Sequence, residues 1–428
     1  MCQQHHSEGP AEFPPHARGV QSVSDTQPFP WDAGVFDAHC HPTDTMGSIA
    51  LVPGMNVRAL TVMSTRSQDQ DLVSSIAQDL GVKDGDTLFS PQASSNQRII
   101  PSFGWHPWFS HQLYDDSTAA YDGSEASKQA HYDKVLAPTP SSRDPSFSAG
   151  LEEPRPLSEF INETRKRLEK HSLALVGEIG LDKAFKLPVN WAPVEQSKRD
   201  HGLTPGGRED RRLSPFRIST EHQTIILQAQ LRLAGEMNRA VSVHGVQVHG
   251  ALYNAIADCW KGHEKEVLSR REKRRIAKNA EDFSDMSDEE GDELREATQQ
   301  KPIKSGPSNS GTHDKKRPYP PRICLHSFSG PVNILKQYTH PSVPAQVYFS
   351  FSTAVNWNSS SDKLKDVIRA VPDDRILIES DLHIAGEQMD QALEDVCRKI
   401  CSIKGWELRD GIGKLAKNWK WFVFGNNP

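Results

Sequence analysis

Eight short runs of strand-favouring residues recur along the chain, at 35–39, 57–63, 99–103, 174–179, 241–244, 323–326, 346–351 and 375–378. Helix-like stretches lie between several of them, at 70–80, 157–171, 221–238, 251–259 and 361–370. Within 221–238, Ile225, Leu227, Leu231 and Ala234 are expected to form one buried face. Strands that alternate with helices pair in parallel, because a parallel neighbour is reached only through a long crossover. Eight such units close naturally into a TIM-type (β/α)8 barrel, an α/β fold whose reactive groups collect at the C-terminal strand ends. The chain has 428 residues, well beyond the roughly 250 of a plain barrel. The surplus is expected in a flexible N-terminal tail over 1–32 and in long polar insertions of a single barrel domain, 33–428. Those insertions fall near 110–150, 183–217 and 261–320.

Charge narrows the function classes. Fifty Lys and Arg against 56 Asp and Glu leave a formal net charge of −6. That excludes a protein that holds duplex DNA by surface electrostatics alone; a nucleic-acid substrate would need metal ions to supply local positive charge. No apolar stretch approaches the roughly 20 residues that span a bilayer. The first ten residues, MCQQHHSEGP, lack a basic segment followed by an apolar one, so no secretory signal is expected. Cys2, Cys40, Cys259, Cys324, Cys397 and Cys401 form no C-x-x-C pair, which argues against a zinc ribbon or a disulfide scaffold. A cytoplasmic or nuclear compartment is the expectation, and without heptads the chain is expected to be a monomer.

Five strand ends carry groups that bind metals. The first run ends in Asp37-Ala38-His39-Cys40-His41. Residues i and i+2 of a strand share a face, so His39 and His41 can point together into a barrel mouth. The fourth ends in Gly177-Glu178-Ile179-Gly180-Leu181-Asp182. Glu178 follows a buried run, and a buried carboxylate needs a partner, either a metal or a basic side chain. The fifth and sixth end in His244 and His326, and the eighth in Glu379-Ser380-Asp381. All five deliver His, Glu or Asp to one face of a barrel. Four histidines and two carboxylates suit zinc, manganese or a mixed dinuclear site.

These motifs, with Gly104-Trp105-His106-Pro107-Trp108 and His326-Ser327-Phe328-Ser329-Gly330, resemble the TatD family of metal-dependent deoxyribonucleases. The match is ordered and runs from about residue 34 to Asn418 and Phe424-Gly425. The long insertions resemble a divergent fungal TatD-like branch, reported as interactors of an anaphase-promoting-complex subunit. The resemblance implies a metal-dependent hydrolase with two divalent ions (Mg, Mn or Zn). His39, His41, Glu178 and Asp381 would ligate one ion; Glu178, His244 and His326 would ligate the second, with Glu178 as the bridge. The implied activity is DNA phosphodiester hydrolysis, often 3′→5′ on single strands. Two cations would acidify a shared water, and Asp381 could orient it or take its proton. His106 could contact the scissile phosphate or protonate the leaving group, or simply pack beside Pro107. Trp105 and Trp108 could stack on bases or fill the core. Two departures fall in the substrate shell. Val246 stands where the family usually has an arginine, and Leu382-His383-Ile384 replaces its proline-containing turn.

Two other functions fit parts of the sequence. Related barrels act as amidohydrolases on amides or other esters, although the strand-four lysine of the carbamate-bridged versions is absent. The insertion 261–320 is a mixed-charge segment suited to docking a protein partner. Ser287 precedes Asp288-Glu289-Glu290, as an acidophilic kinase site would, and Lys315-Lys316-Arg317-Pro318 resembles a nuclear import patch.

Overall fold

The computed structural model describes residues 28–89, 96–118, 121–191, 197, 199–268, 317–357 and 362–425. Ser287, Lys315 and Lys316, and most of 261–320, lie outside the described residues, as does the expected tail up to residue 27. The last residues of that tail are anchored: Trp31 packs on Phe29, and Asp32 pairs with Arg409 at 2.9 Å.

All eight expected strands form. They are β1 Phe36–Cys40, β2 Ala59–Met63, β3 Ile99–Ser102, β4 Val176–Asp182, β5 Val241–Val246, β6 Arg322–Leu325, β7 Gln346–Phe351 and β8 Ile376–Ile378. Every ladder between them is parallel. The ladders run as two arcs, β1-β2-β3 and β4-β5-β6-β7-β8. At one seam Ser102 of β3 bridges Leu175, just before β4. At the other, Asp381 N donates to His39 O at 3.0 Å. The eight strands thus follow one another around a ring.

The inside of that ring changes character along its axis. Phe36, Ala38, Ala59, Ile100, Leu175, Ala240, Cys324, Tyr348 and Leu377 form one buried cluster at the end where the strands begin. The same alternating face then becomes polar. Ala240 is followed by Ser242 and His244, Cys324 by His326, and Leu377 by Glu379. Register shifts in β1 between Asp37 and Cys40, and in β4 between Val176 and Ile179, mark bulges at the strands that carry His39 and Glu178. A bulge lets a strand re-aim a side chain near its end.

Among the described residues, nine main helices cover the outside and one end of the ring. Those between strands are α1 Ser67–Leu80, α2 Glu125–Val135, α3 Leu157–Lys170, α4 Thr220–Glu236, α5 His249–Trp260, α6 Val332–Tyr338 and α7 Asp362–Ala370. After β8 come α8 Glu387–Lys404 and α9 Leu408–Phe424. The last helix caps the apolar end with Trp419, Phe422 and Val423, and Asn418 donates to Asp373 O and Ile376 O at 2.7 and 2.9 Å. Among the described residues no helix is long and apolar enough to cross a membrane.

Two expectations are corrected. In α4 the buried stripe runs through Gln223, Ile226, Leu227, Gln230, Leu231 and Ala234, while Ile225 is 42% exposed. Hydrophobicity alone hid two buried glutamines that bind backbone: Gln230 Oε1 accepts from Trp105 N at 2.7 Å, and Gln223 Oε1 from Asp182 N at 2.7 Å. The insertions near 110–150 and 183–217 are not merely polar. Tyr132, Val135, Leu136 and Phe147 of the first pack with Leu187, Phe216 and Ile218 into a small core of their own. A loop that long remains ordered only by burying such surface.

Candidate metal centre

All seven residues expected at the site meet at the polar end of the ring. Glu178 is their hub. Its Oε1 lies 2.9 Å from His244 Nδ1, 2.8 Å from His326 Nε2 and 3.1 Å from His106 Nε2. Its Oε2 lies 3.3 Å from His41 Nε2 and 3.5 Å from His39 Nε2. Asp381 Oδ1 completes the second side, 3.6 Å from His41 Nε2 and 3.8 Å from His39 Nε2. Each carboxylate oxygen therefore serves a different group of histidines. Asp381 turns inward from a left-handed backbone, φ 54°, a conformation that Asp adopts more readily than most residues.

The donor set fits divalent cations. His39 Nε2 and His41 Nε2 are 3.0 Å apart, and His244 Nδ1 and His326 Nε2 are 3.2 Å apart. Two nitrogens around one tetrahedral ion at about 2.0–2.1 Å stand roughly 3.3 Å from each other. His39, His41 and Glu178 can all reach one ion, as can His39, His326 and Asp381, or His106, Glu178 and His244. The electrostatics ask for the same charge. Burial opposes ionisation of Glu178, yet His106, His326 and His39 hold its pKa well below the usual carboxylate range. Against burial, Glu178 raises His41 to about 9 and lifts His326 well above an ordinary imidazole. Protons on those rings occupy the electrostatic role that a cation would take over.

His106 differs from the other four. Its Nδ1 accepts from Trp108 N at 3.1 Å, so the neutral ring carries its proton on Nε2 and presents it to Glu178. Ligation through Nε2 would require the proton on Nδ1, which instead faces an N–H donor. Burial lowers its pKa to about 4, which keeps it neutral.

A second ring of partners fixes the first, and sequence reasoning missed most of it. Asp182 Oδ2 lies 3.1 Å from His244 Nε2, and Trp108 Nε1 donates to the same oxygen at 2.6 Å. Ser242 Oγ lies 2.8 Å from His39 Nδ1. Glu379 Oε1 lies 3.6 Å from His326 Nδ1 and accepts from Ser327 N at 2.7 Å. Asp37 accepts from Ser380 N at 3.1 Å and His39 N at 3.0 Å, tying β1 to the end of β8. Asp182, Glu379 and Ser242 all follow the inward alternation, two residues from a candidate ligand or at a strand end, and that spacing was the available signal. Trp105 is buried and donates its indole to Phe109 O, so it is core. Trp108 lines the cavity above the cluster. Leu382 and His383 line it too, whereas Val246 lies in the β4–β5 ladder opposite Asp182.

Several known proteins are similar to this chain along most of its length. Over 389 residues the chain is 36% identical to Cut9-interacting protein scn1 of Schizosaccharomyces pombe, covering 91% of this chain and 98% of that protein. It is 25% identical over 351 residues to an uncharacterized deoxyribonuclease of Saccharomyces cerevisiae, covering 81% and 83%. Among solved structures it is similar to an uncharacterized amidohydrolase of Saccharomyces cerevisiae (TM-score 0.49, 14% identity, 91% of this chain and 99% of that one). It is also similar to the TatD homologue YjjV of Escherichia coli (TM-score 0.46, 14% identity, 92% and 100%). Residues 36–422 match the family model described as TatD related DNase, and the chain belongs to that family.

Proposed function

We propose that this protein hydrolyses phosphodiester bonds of DNA with two divalent cations, working from the end of a single strand. The observation that carries the reading is the division of Glu178: one oxygen faces His39 and His41, the other His244 and His326. A carboxylate so placed would bridge two ions, with Asp381 beside the first. Divalent ions held there would acidify an attacking water and stabilise charge on the attacking and leaving oxygens. The chain's own groups do the rest. Asp381, with a side chain 12% exposed at the mouth, is placed to take the proton of the attacking water. Asp182 and Glu379 keep the His244 and His326 rings in position. His106 Nε2–H stays on Glu178 and steadies the bridge, rather than ligating. The cavity above the cluster, about 760 Å³, is in the range of pockets that enclose small ligands and admits a strand end rather than a length of duplex.

The test is metal content by mass spectrometry together with cleavage of a single-stranded oligonucleotide, for wild type and Glu178→Ala. Two ions per chain and cleavage, both lost in the variant, are the expected result. Full metal loading without cleavage of any phosphodiester would end the nuclease reading.

A second reading rests on the Schizosaccharomyces pombe relative, whose name states an interaction of that protein with Cut9. On it, the present chain binds a protein partner through 261–320. Removing 265–315 would then abolish partner binding and leave hydrolysis intact; binding unaffected by the deletion would rule the reading out.

A further inference from the structure

The segment after β4 builds one wall of the cavity. Asp182 Oδ1 accepts from Ala184 N and Phe185 N at 2.7 and 2.9 Å, and Phe185 stacks on Trp108 at 4.5 Å. The chain then leaves the barrel and returns antiparallel to itself. Leu187 N donates to Phe216 O, Val189 N to Arg212 O and Ser214 N to Leu187 O, all at 2.8–2.9 Å. Between these points it reaches across to the loop after β1. Thr204 N donates to Asp44 O at 2.9 Å, and Arg66 donates to Pro205 O and Thr204 O at 2.8 and 3.1 Å. This strap and the metal cluster line the same cavity.

Four arginines face that cavity, and their surroundings differ. Arg66 is held by Asp44 at 2.9 Å and Asp69 at 3.2 Å. Arg199 is held by Glu209 at 2.7 Å. Arg208 Nε donates to Arg211 O at 3.4 Å. Arg211 itself forms no ion pair within 4.0 Å among the described residues. Among the described residues its side chain donates only to the backbone oxygens of Arg208, Val189 and Gly207, at 3.1, 3.4 and 2.6 Å, and its guanidinium lies 5.8 Å from the Trp191 ring centre. A guanidinium has five N–H donors, so one remains on each terminal nitrogen. Glu209 and Glu152 lie near enough to favour its charge, but neither forms an ion pair with it among the described residues: Glu209 pairs with Arg199, and Asp44 with Arg66 and His383. The result is a half-buried, positioned cation with spare paired donors, an arrangement suited to a phosphate.

We propose that Arg211, seated against Trp191 on the strap, is a subsite for a second phosphate of the substrate, one nucleotide away from the bond that is cut. The proposal rests on the phosphodiesterase reading and adds to it a residue that selects for nucleotides with a flanking phosphate. It also places a phosphate contact on the strap, in a chain where Val246 offers none.

The probes are thymidine 3′,5′-bisphosphate and the two thymidine monophosphates, none of which is a phosphodiester. Their affinities for the metal-loaded protein are measured by equilibrium titration. One phosphate would occupy the metal centre and the other Arg211. The bisphosphate is expected to bind about tenfold or more tightly than the better monophosphate, since a charged hydrogen-bond pair contributes about 1.5–3 kcal/mol. In Arg211→Gln that ratio should fall below about twofold, with Arg211→Lys between. The ratio separates the subsite from a role in holding the strap, because a loosened strap weakens both ligands together. An unchanged ratio in Arg211→Gln, or a wild-type ratio near one, overturns the proposal. Bis(p-nitrophenyl) phosphate, which has no second phosphate, is assayed alongside. Failure of both this diester and the single-stranded oligonucleotide to be cleaved would refute the phosphodiesterase reading, while the affinity ratio still judges Arg211.

Discussion

Asp182 grips His244 by the ring nitrogen that faces away from Glu178, with Oδ2 3.1 Å from Nε2. The pair fixes the tautomer: with the proton on Nε2, the Nδ1 lone pair points at the centre of the cluster. Against burial, His244 holds the Asp182 pKa down to about 2, so the carboxylate is an acceptor at all working pH values. Removing such an outer carboxylate usually costs a metal site 10–100-fold in affinity. Asp182→Asn is therefore expected to weaken metal binding by that factor in a competition with a chelator, and activity should recover at high metal concentration. Metal affinity equal to wild type would show that His244 needs no such clamp.

Metal binding should release protons. His41 titrates at about 9 and His326 well above its ordinary value, because each faces Glu178 despite burial. Below those values a cation must displace the protons, so apparent affinity should rise as pH is raised from 6 to 9. The expected slope is about tenfold per pH unit for each proton displaced. Calorimetry in two buffers of different ionisation heat reads the number directly. A pH-independent affinity with no proton release would contradict the picture of protons standing where cations belong.

Much of this was legible beforehand, and the reasons are physical. His39, His41, Glu178, His244, His326 and Asp381 each follow an apolar run, so strand periodicity alone placed them at one end of the ring. In sequence Glu379 stands out only as part of a strand-end motif, because nothing local says that Ser327, just after β6, and Ser350 of β7 will donate to it. The sequence pattern puts Ile225 on the buried face of α4 because it is apolar, and gives no reason to add Gln230. The structure exposes Ile225 and buries Gln230, whose amide accepts from Trp105 N and donates to Trp105 O. The insertions look like loops in sequence because their apolar residues are sparse. Phe147 and Phe216, whose rings lie 4.4 Å apart, are separated by almost seventy residues, beyond the reach of any local pattern.

Glu379 offers a test of the buried network. It is fully buried and accepts from Ser327 N, Ser327 Oγ and Ser350 Oγ. Glu379→Ala would strand these donors in the barrel at about 1–3 kcal/mol each, and a fall in melting temperature of several degrees is expected. Glu379→Gln keeps two of the acceptor contacts and should fall less. Equal melting temperatures for both variants and wild type would mean that the network adds nothing to stability.

The final prediction concerns acid, and it lies away from the metal cluster. His111, His131 and His222 sit together where the first insertion meets α4. His222 Nε2 lies 2.8 Å from Ser110 O and His131 Nε2 lies 2.8 Å from His111 O, so both rings serve as donors there. Burial lowers His111 to about 3, with His131 and His222 adding to the effect, and lowers His222 to about 4, with His131 adding; burial also lowers His131, with Lys134 nearby. A folded pKa below the unfolded value near 6.5 means that the unfolded chain binds more protons in between. Stability from this group is therefore complete above about pH 6.5 and is lost as pH falls toward 4, at up to about 1.4 kcal/mol per pH unit for each histidine. Urea unfolding at pH 7, 6, 5 and 4 should show that decline, and His222→Gln, which retains a donor for Ser110 O, should flatten it. If wild type and His222→Gln lose stability in parallel over that range, the acid sensitivity belongs to other groups, and the histidine cluster is inert packing.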